Sequence, residues 1–255
     1  MKKIITLILV LLIVALIPII ASATSGSTTL AGSSGYVVIP SAIPVESKTS
    51  TTFSSGYNAM FSMVNKFSHI PYIQMGFAKD FEAALAFDIG ITTDILLQAK
   101  WRFIEKNNTH FAFILNGQGL DITKGSRYFA AQTGFAATFD SAIMNFDSRT
   151  TVFLGYTFDK TINTDIDFGM AFETPLWKKN MKEIVSAVMD FGNVSYSVNP
   201  SGGDATDRGS LNFGLRLLPI EFIKNAYITA DLRLLDLFDH SGRAISAGVS
   251  FSFRP

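Results

Sequence analysis

The chain has 255 residues, 21 of them basic and 21 acidic, and no cysteine. The balanced charge gives no basic excess for nucleic acid or for an anionic membrane surface. The missing thiols exclude disulfides, thiolate metal sites, a cysteine nucleophile and a lipidated cysteine at an export cleavage site. Only 16% of residues are charged, few for a water-washed surface.

The first 23 residues read as a secretory signal. Lys2-Lys3 is a short basic region, Ile4 to Ile20 an apolar run broken near its end by Pro18, and Ala21-Ser22-Ala23 a small-residue cleavage pattern. Cleavage after Ala23 removes Lys2 and Lys3 and leaves 19 basic against 21 acidic residues, a net charge of −2. Every later apolar stretch is shorter than the roughly 18 residues of a membrane helix, so beyond the signal any spanning must use strands.

Residues 24–48 form a separate stretch. Its first part, to about residue 35, is rich in Ser, Thr and Gly and predicts a flexible lead-in. Then comes Gly32-Ser33-Ser34-Gly35-Tyr36-Val37-Val38-Ile39-Pro40-Ser41-Ala42, a short extended run stopped by a proline. It resembles the Gly-x-x-Gly-x-x-x-x-Pro-x-Ala opening of some bacterial outer-membrane barrels, including the YjbH-like group linked to exopolysaccharide. That resemblance implies a segment that packs in a barrel mouth or precedes the first strand.

From residue 49 to 255 the chain predicts about twelve strands, within a range of 10–14, over 50–61, 69–79, 82–92, 94–104, 108–118, 127–139, 148–159, 165–173, 183–192, 208–218, 226–236 and 243–253. Apolar residues recur at every second position, as in Leu85, Phe87, Ile89, Ile91 and in Thr150, Val152, Leu154, Tyr156, Phe158. A period of two places them on one face of a strand. Each segment has the length of a tilted membrane strand. Asn107-Asn108, Lys124-Gly125 and Ser241-Gly242 read as turns, and residues 199–204 mark the longest loop. The fold class expected is all-β, a transmembrane antiparallel β-barrel.

The opposite face carries Gly, Ala, Ser and Thr with interspersed charges: Asp88, Lys100, Arg102, Arg149, Asp165, Asp167, Glu173, Asp190, Arg216, Asp231 and Arg233. These are the candidate lumen-lining residues. Isolated buried ions are costly, so such charges must pair or be hydrated. They either line a path for solute or form ladders that close one, and their mixed signs favour closure.

An even strand count puts both ends of the barrel on the periplasmic side. Phe77, Trp101, Phe103, Phe111, Phe139, Phe172, Phe251 and Phe253 then fall at the periplasmic rim, where an aromatic girdle belongs. The last strand, with Ile245, Ala247, Val249, Phe251 and Phe253, resembles the assembly signal of outer-membrane barrels, although Arg254 and Pro255 follow its terminal Phe. The resemblance implies recognition by the barrel-assembly machinery, with outer-membrane lipid as the second partner.

Catalysis finds little support. His69 stands at a strand start, His110 on the polar face, and His240 in a loop as Asp239-His240-Ser241, which reads as a polar turn. Three scattered histidines make no metal site, and no phosphate or dinucleotide fingerprint is present. The reading is therefore non-enzymatic and without cofactor. The expected function is a narrow channel or passive transport barrel for small solutes; a structural or polysaccharide-associated envelope barrel is the alternative, and a membrane-embedded hydrolase a third.

Overall fold

The computed structural model describes residues 28–45, 51–62, 66–123, 128–143, 146–158, 166–176, 185–193, 209–238 and 243–254. The expected signal peptide, Asp165, His240, and the turns at Lys124-Gly125 and Ser241-Gly242 lie outside these residues, as does the 199–204 loop.

Twelve strands form a closed antiparallel barrel in which each pairs with its neighbours in sequence and β1 pairs with β12. They are β1 (Thr52–Ser62), β2 (Lys66–Phe77), β3 (Phe81–Ile89), β4 (Thr93–Lys106), β5 (Thr109–Leu120), β6 (Tyr128–Ile143), β7 (Phe146–Thr157), β8 (Ile166–Pro175), β9 (Val185–Gly192), β10 (Ser210–Ile223), β11 (Ala226–Leu235) and β12 (Ala244–Phe253). The closing seam runs from Phe53 opposite Phe253 to Ser62 opposite Ala244. Closure leaves no unpaired edge, which is what a sheet in hydrocarbon requires.

The period-two pattern becomes an inside and an outside. Leu97 is 51% exposed and Leu154 55%, while Lys100 and Arg233, on inward positions, are buried. This apolar-out, polar-in arrangement is inverted relative to a soluble barrel and is that of a transmembrane one. Hairpins turn tightly where the chain tolerates positive φ: Ala78 and Lys79 between β2 and β3 have φ of 50° and 65°, and Asn107 and Asn225 have 52° and 65°.

Aromatic rings gather at the end where β1 begins and β12 finishes. Phe77, Phe81, Trp101 and Phe103 follow one another at ring distances of 5.6, 6.1 and 5.9 Å. Phe103 also meets Phe135 at 6.4 Å. This is the rim at which the sequence expects a girdle. The barrel carries aromatics at the other rim as well: Phe61 with Phe67, Tyr156 with Phe158, and Phe191 between Phe168 and Phe238. Interfacial aromatics suit both water boundaries of a membrane for the same reason, an apolar ring body beside a wet layer.

Two local expectations differ from the structure. His69 is inside β2, not at its start, because the strand begins at Lys66. Residues 28–35 are not a flexible lead-in. Every residue of 28–45 is buried, and the segment folds on itself through bridges between Thr28 and Ser34 and between Gly35 and Pro40.

Candidate functional site

The segment 28–45 lies inside the barrel, against the inward faces of β1–β4 and β6–β11. Ser, Thr and Gly give it few side chains of its own, so its backbone amides and carbonyls must be satisfied by the wall. The wall does this with ions.

Asp190 on β9 accepts three successive amide protons, from Val37, Val38 and Ile39, on its Oδ2 atom at 2.9, 2.7 and 3.0 Å. Its Oδ1 accepts from Asn212 of β10 at 2.8 Å. Successive N–H groups converging on one anion form a nest, a recurrent anion-holding geometry of the backbone. Glu82 on β3 accepts from the amides of Ser34 at 2.9 Å and Val45 at 2.6 Å, and from the Ser34 hydroxyl.

The cations take the carbonyls. Arg216 on β10 donates to Gly35 O at 3.0 Å, Thr28 O at 3.0 Å and Tyr36 O at 3.1 Å. Arg233 on β11 donates to Thr28 O at 2.9 Å and to the Asn58 side chain at 2.8 Å. Lys100 on β4 donates to Ser34 O at 2.8 Å and pairs with Glu82 at 3.2 Å. Asn58 Nδ2 donates to Leu30 O at 3.0 Å, and the Ala42 amide donates to Thr138 Oγ1 at 2.8 Å.

Few side chains of the segment join in. The Tyr36 hydroxyl shares a hydrogen bond with Thr151 at 2.8 Å, and Thr28 shares one with the Tyr72 hydroxyl at 2.8 Å. Burial is the chief cause that raises the Tyr36 pKa, so its phenol stays neutral. Ile39 seats in a notch of small residues: a Cβ added at Gly169 or Gly192 would strike its Cδ1 atom. Beside Tyr36, Arg149 and Glu173 a small cavity of about 10 Å³ remains, about one water's worth. Residues 28–45 occupy the lumen at this level.

The charges also pair along the wall. Arg216 Nε donates to Asp231 at 2.7 Å and Arg233 meets the other Asp231 oxygen at 3.0 Å. Glu173 accepts from Ser186 at 2.7 Å and lies 3.5 Å from Arg216. Buried ion pairs of this kind survive when hydrogen bonds occupy their remaining donors and lone pairs; here Arg216 and Asp231 are so served, while the buried Arg233 Nε has no hydrogen-bond partner. Toward the other half of the barrel a polar ladder crosses five strands: Gln98 to Asn116 at 2.8 Å, Asn116 to Gln132 at 2.6 Å, and Gln132 and Thr157 both to Asp167 at 2.7 Å.

Of the residues singled out from sequence, Lys100, Asp190, Arg216 and Arg233 hold the segment directly. Glu173 and Asp231 brace those arginines. Asp167 belongs to the amide ladder. Arg149 pairs with Asp140 at 2.7 Å beside Tyr36. Arg102 is drawn to the rim, 2.8 Å from Asp80 and 3.1 Å from Glu105. Asp88, half-buried, stands opposite Asp94 in the β3–β4 register. Asp165 lies outside the described residues.

Sequence reasoning missed Glu82, Asn58, Tyr72, Thr138 and Thr151. Glu82 shares the parity of Asp88 on β3, and that parity was the available signal. Of the two histidines among the described residues, His69 faces outward and shares a hydrogen bond with the Tyr57 hydroxyl, and His110 lies 3.3 Å from Asp140. No group of metal-binding side chains occurs among the described residues.

No family model matches the chain, and no curated protein matches it. Solved structures do. The chain shares its fold with the KdgM porin. That match has 8% identity and a TM-score of 0.51, covering 79% of this chain and 99% of that one. The NanC porin matches at 8% identity and 0.49, over 81% and 100% of the two chains. The Acinetobacter baumannii outer membrane protein Omp33 matches at 9% and 0.43, over 80% and 98%. At such identities the likeness is one of architecture.

Proposed function

We propose that this protein is an outer-membrane barrel that acts as a narrow passive transport channel, held shut by its own residues 28–45. The apolar exterior, the paired aromatic rims and the polar interior support the membrane setting. One observation carries the channel reading: a chain segment that precedes the first strand occupies the lumen among the wall's inward side chains. Here the wall keeps charged groups of both signs that line a polar path once the segment leaves. The end of β12, Phe251 and Phe253, is the proposed contact for the barrel-assembly machinery. The similarity to YjbH-like barrels falls wholly within the plug, which makes it a likeness of the closing element.

Planar-bilayer recording tests this. Full-length protein should give rare or small unitary steps. The same chain with Gly32→Val and Gly35→Val should give frequent, defined ones, because a Cβ at Gly32 would meet the Tyr72 ring at 2.5 Å and one at Gly35 the Ile39 carbonyl at 2.5 Å. Silence from both, in preparations whose boiled and unboiled forms migrate differently on a detergent gel, would sink the channel reading.

A further inference from the structure

The wall reads the plug through its main chain. The amides of Ser34, Val37, Val38, Ile39, Ala42 and Val45 donate to wall side chains. The carbonyls of Thr28, Leu30, Ser34, Gly35 and Tyr36 accept from them. Side-chain hydrogen bonds to the wall come from Thr28, Ser34 and Tyr36. Acids on β3 and β9 meet amides, and cations on β4, β10 and β11 meet carbonyls. That division of labour fits the two polar groups of a peptide unit. Each is absent from a simple ion, while a sugar offers hydroxyls in place of amides. The small-residue notch of Gly169 and Gly192 adds a place for one branched side chain.

We propose that Glu82, Lys100, Asp190, Arg216 and Arg233 form a peptide-backbone recognition site, that residues 28–45 are its intramolecular ligand, and that a short peptide takes their place when the segment withdraws. The inference uses the reading above only in taking the segment as displaceable; it names the class of ligand, peptides, that the lumen accepts.

The test uses the full chain carrying Gly32→Val, Gly35→Val and Ser41→Cys. The natural chain has no cysteine, and Ser41 is buried in the seated plug. Maleimide labelling of the new thiol in heat-modifiable, folded barrel therefore reports withdrawal. A fluorescent synthetic peptide with the sequence of residues 28–45 is then titrated and its anisotropy followed. The expected result is saturable binding to this variant and none to the unsubstituted chain. A peptide with ester linkages replacing the amides at Val38 and Ile39 should bind about tenfold more weakly, or worse, since each ester deletes a hydrogen bond to a charged partner. A peptide with Thr28→Ala, Ser34→Ala and Tyr36→Phe should bind within a fewfold of the parent. A thiol that stays unreactive in folded barrel, no saturable binding, an ester as tight as the amide, or a side-chain variant weakened as much as the ester would each overturn the proposal. Binding without conductance would keep it and remove the channel reading; conductance without binding would do the reverse.

Discussion

The carboxylate of Asp190 and the amide of Val38 meet at 2.7 Å across 152 positions of sequence. Val37 and Ile39 donate to the same oxygen, so one wall side chain fixes the middle of the plug. Asp190→Ala leaves these buried amides without their acceptor. Each orphaned group costs about 1–3 kcal/mol, so the seated state should lose on the order of 3 kcal/mol. That is more than a hundredfold in the open population, about 1.4 kcal/mol being tenfold. Labelling of a Ser41→Cys thiol should accelerate accordingly while the barrel stays heat-modifiable. Asp190→Asn, which keeps an acceptor oxygen, should have the smaller effect.

Ile39 and Gly169 form the second contact open to a clean test. Gly169→Val places methyl groups where the Ile39 Cδ1 atom sits, and overpacking of this kind costs about 1–3 kcal/mol. The plug should loosen by about tenfold or more in the thiol-labelling assay. Adding Ile39→Ala should restore much of the protection by emptying the notch. An additive loss in the double variant would show that the two positions do not touch.

Arg216 joins the plug to the wall. It is almost wholly buried, and it serves Asp231, Glu173 and the carbonyls of Thr28, Gly35 and Tyr36 together. Arg216→Ala should destabilise the barrel by about 3–5 kcal/mol, the usual cost of breaking a buried pair from one side. Urea unfolding in lipid vesicles measures it. Replacing Arg216 and Asp231 together should cost less than the sum of the single changes, because the uncompensated charge disappears with its partner.

On the lipid side, Leu154 is 55% exposed in the second half of β7. Leu154→Arg should cost about 2–4 kcal/mol if it faces the bilayer midplane. Vesicle-refolding equilibria measure this. A neutral outcome would mean that this face is wetted.

The strands and their two faces were legible because a period of two survives any error in boundary: Leu97, Leu154 and Phe251 point outward whichever residue begins the strand. The wall charges were legible for the same reason, as the parity partners of those residues. The plug was not. It has no period, and Ser, Thr and Gly ordinarily mark a loop. Its seating depends on Val37, Val38 and Ile39 through their amides, which every residue type except proline carries, so composition gives no sign of it. Lys100 and Arg216 announced a need for partners. That the partners would be carbonyls of residues 28–36, with Asp231 and Glu82 taking the rest, follows only from closing the sheet into a barrel around them.

The order in which the chain is made gives the plug a place in time. Thr28 is made long before its partner: its carbonyl waits for Arg233, 205 positions later. Val37 waits for Asp190, 153 positions later. Contacts of such separation form late, after the loss of loop entropy has been met by other pairings. A partly assembled sheet that lacks β9 to β11 is without Asp190, Arg216 and Arg233, and meets the segment only through the earlier strands. Full seating of the segment then waits for those strands, and access to Ser41 in an intermediate would report whether they have been added.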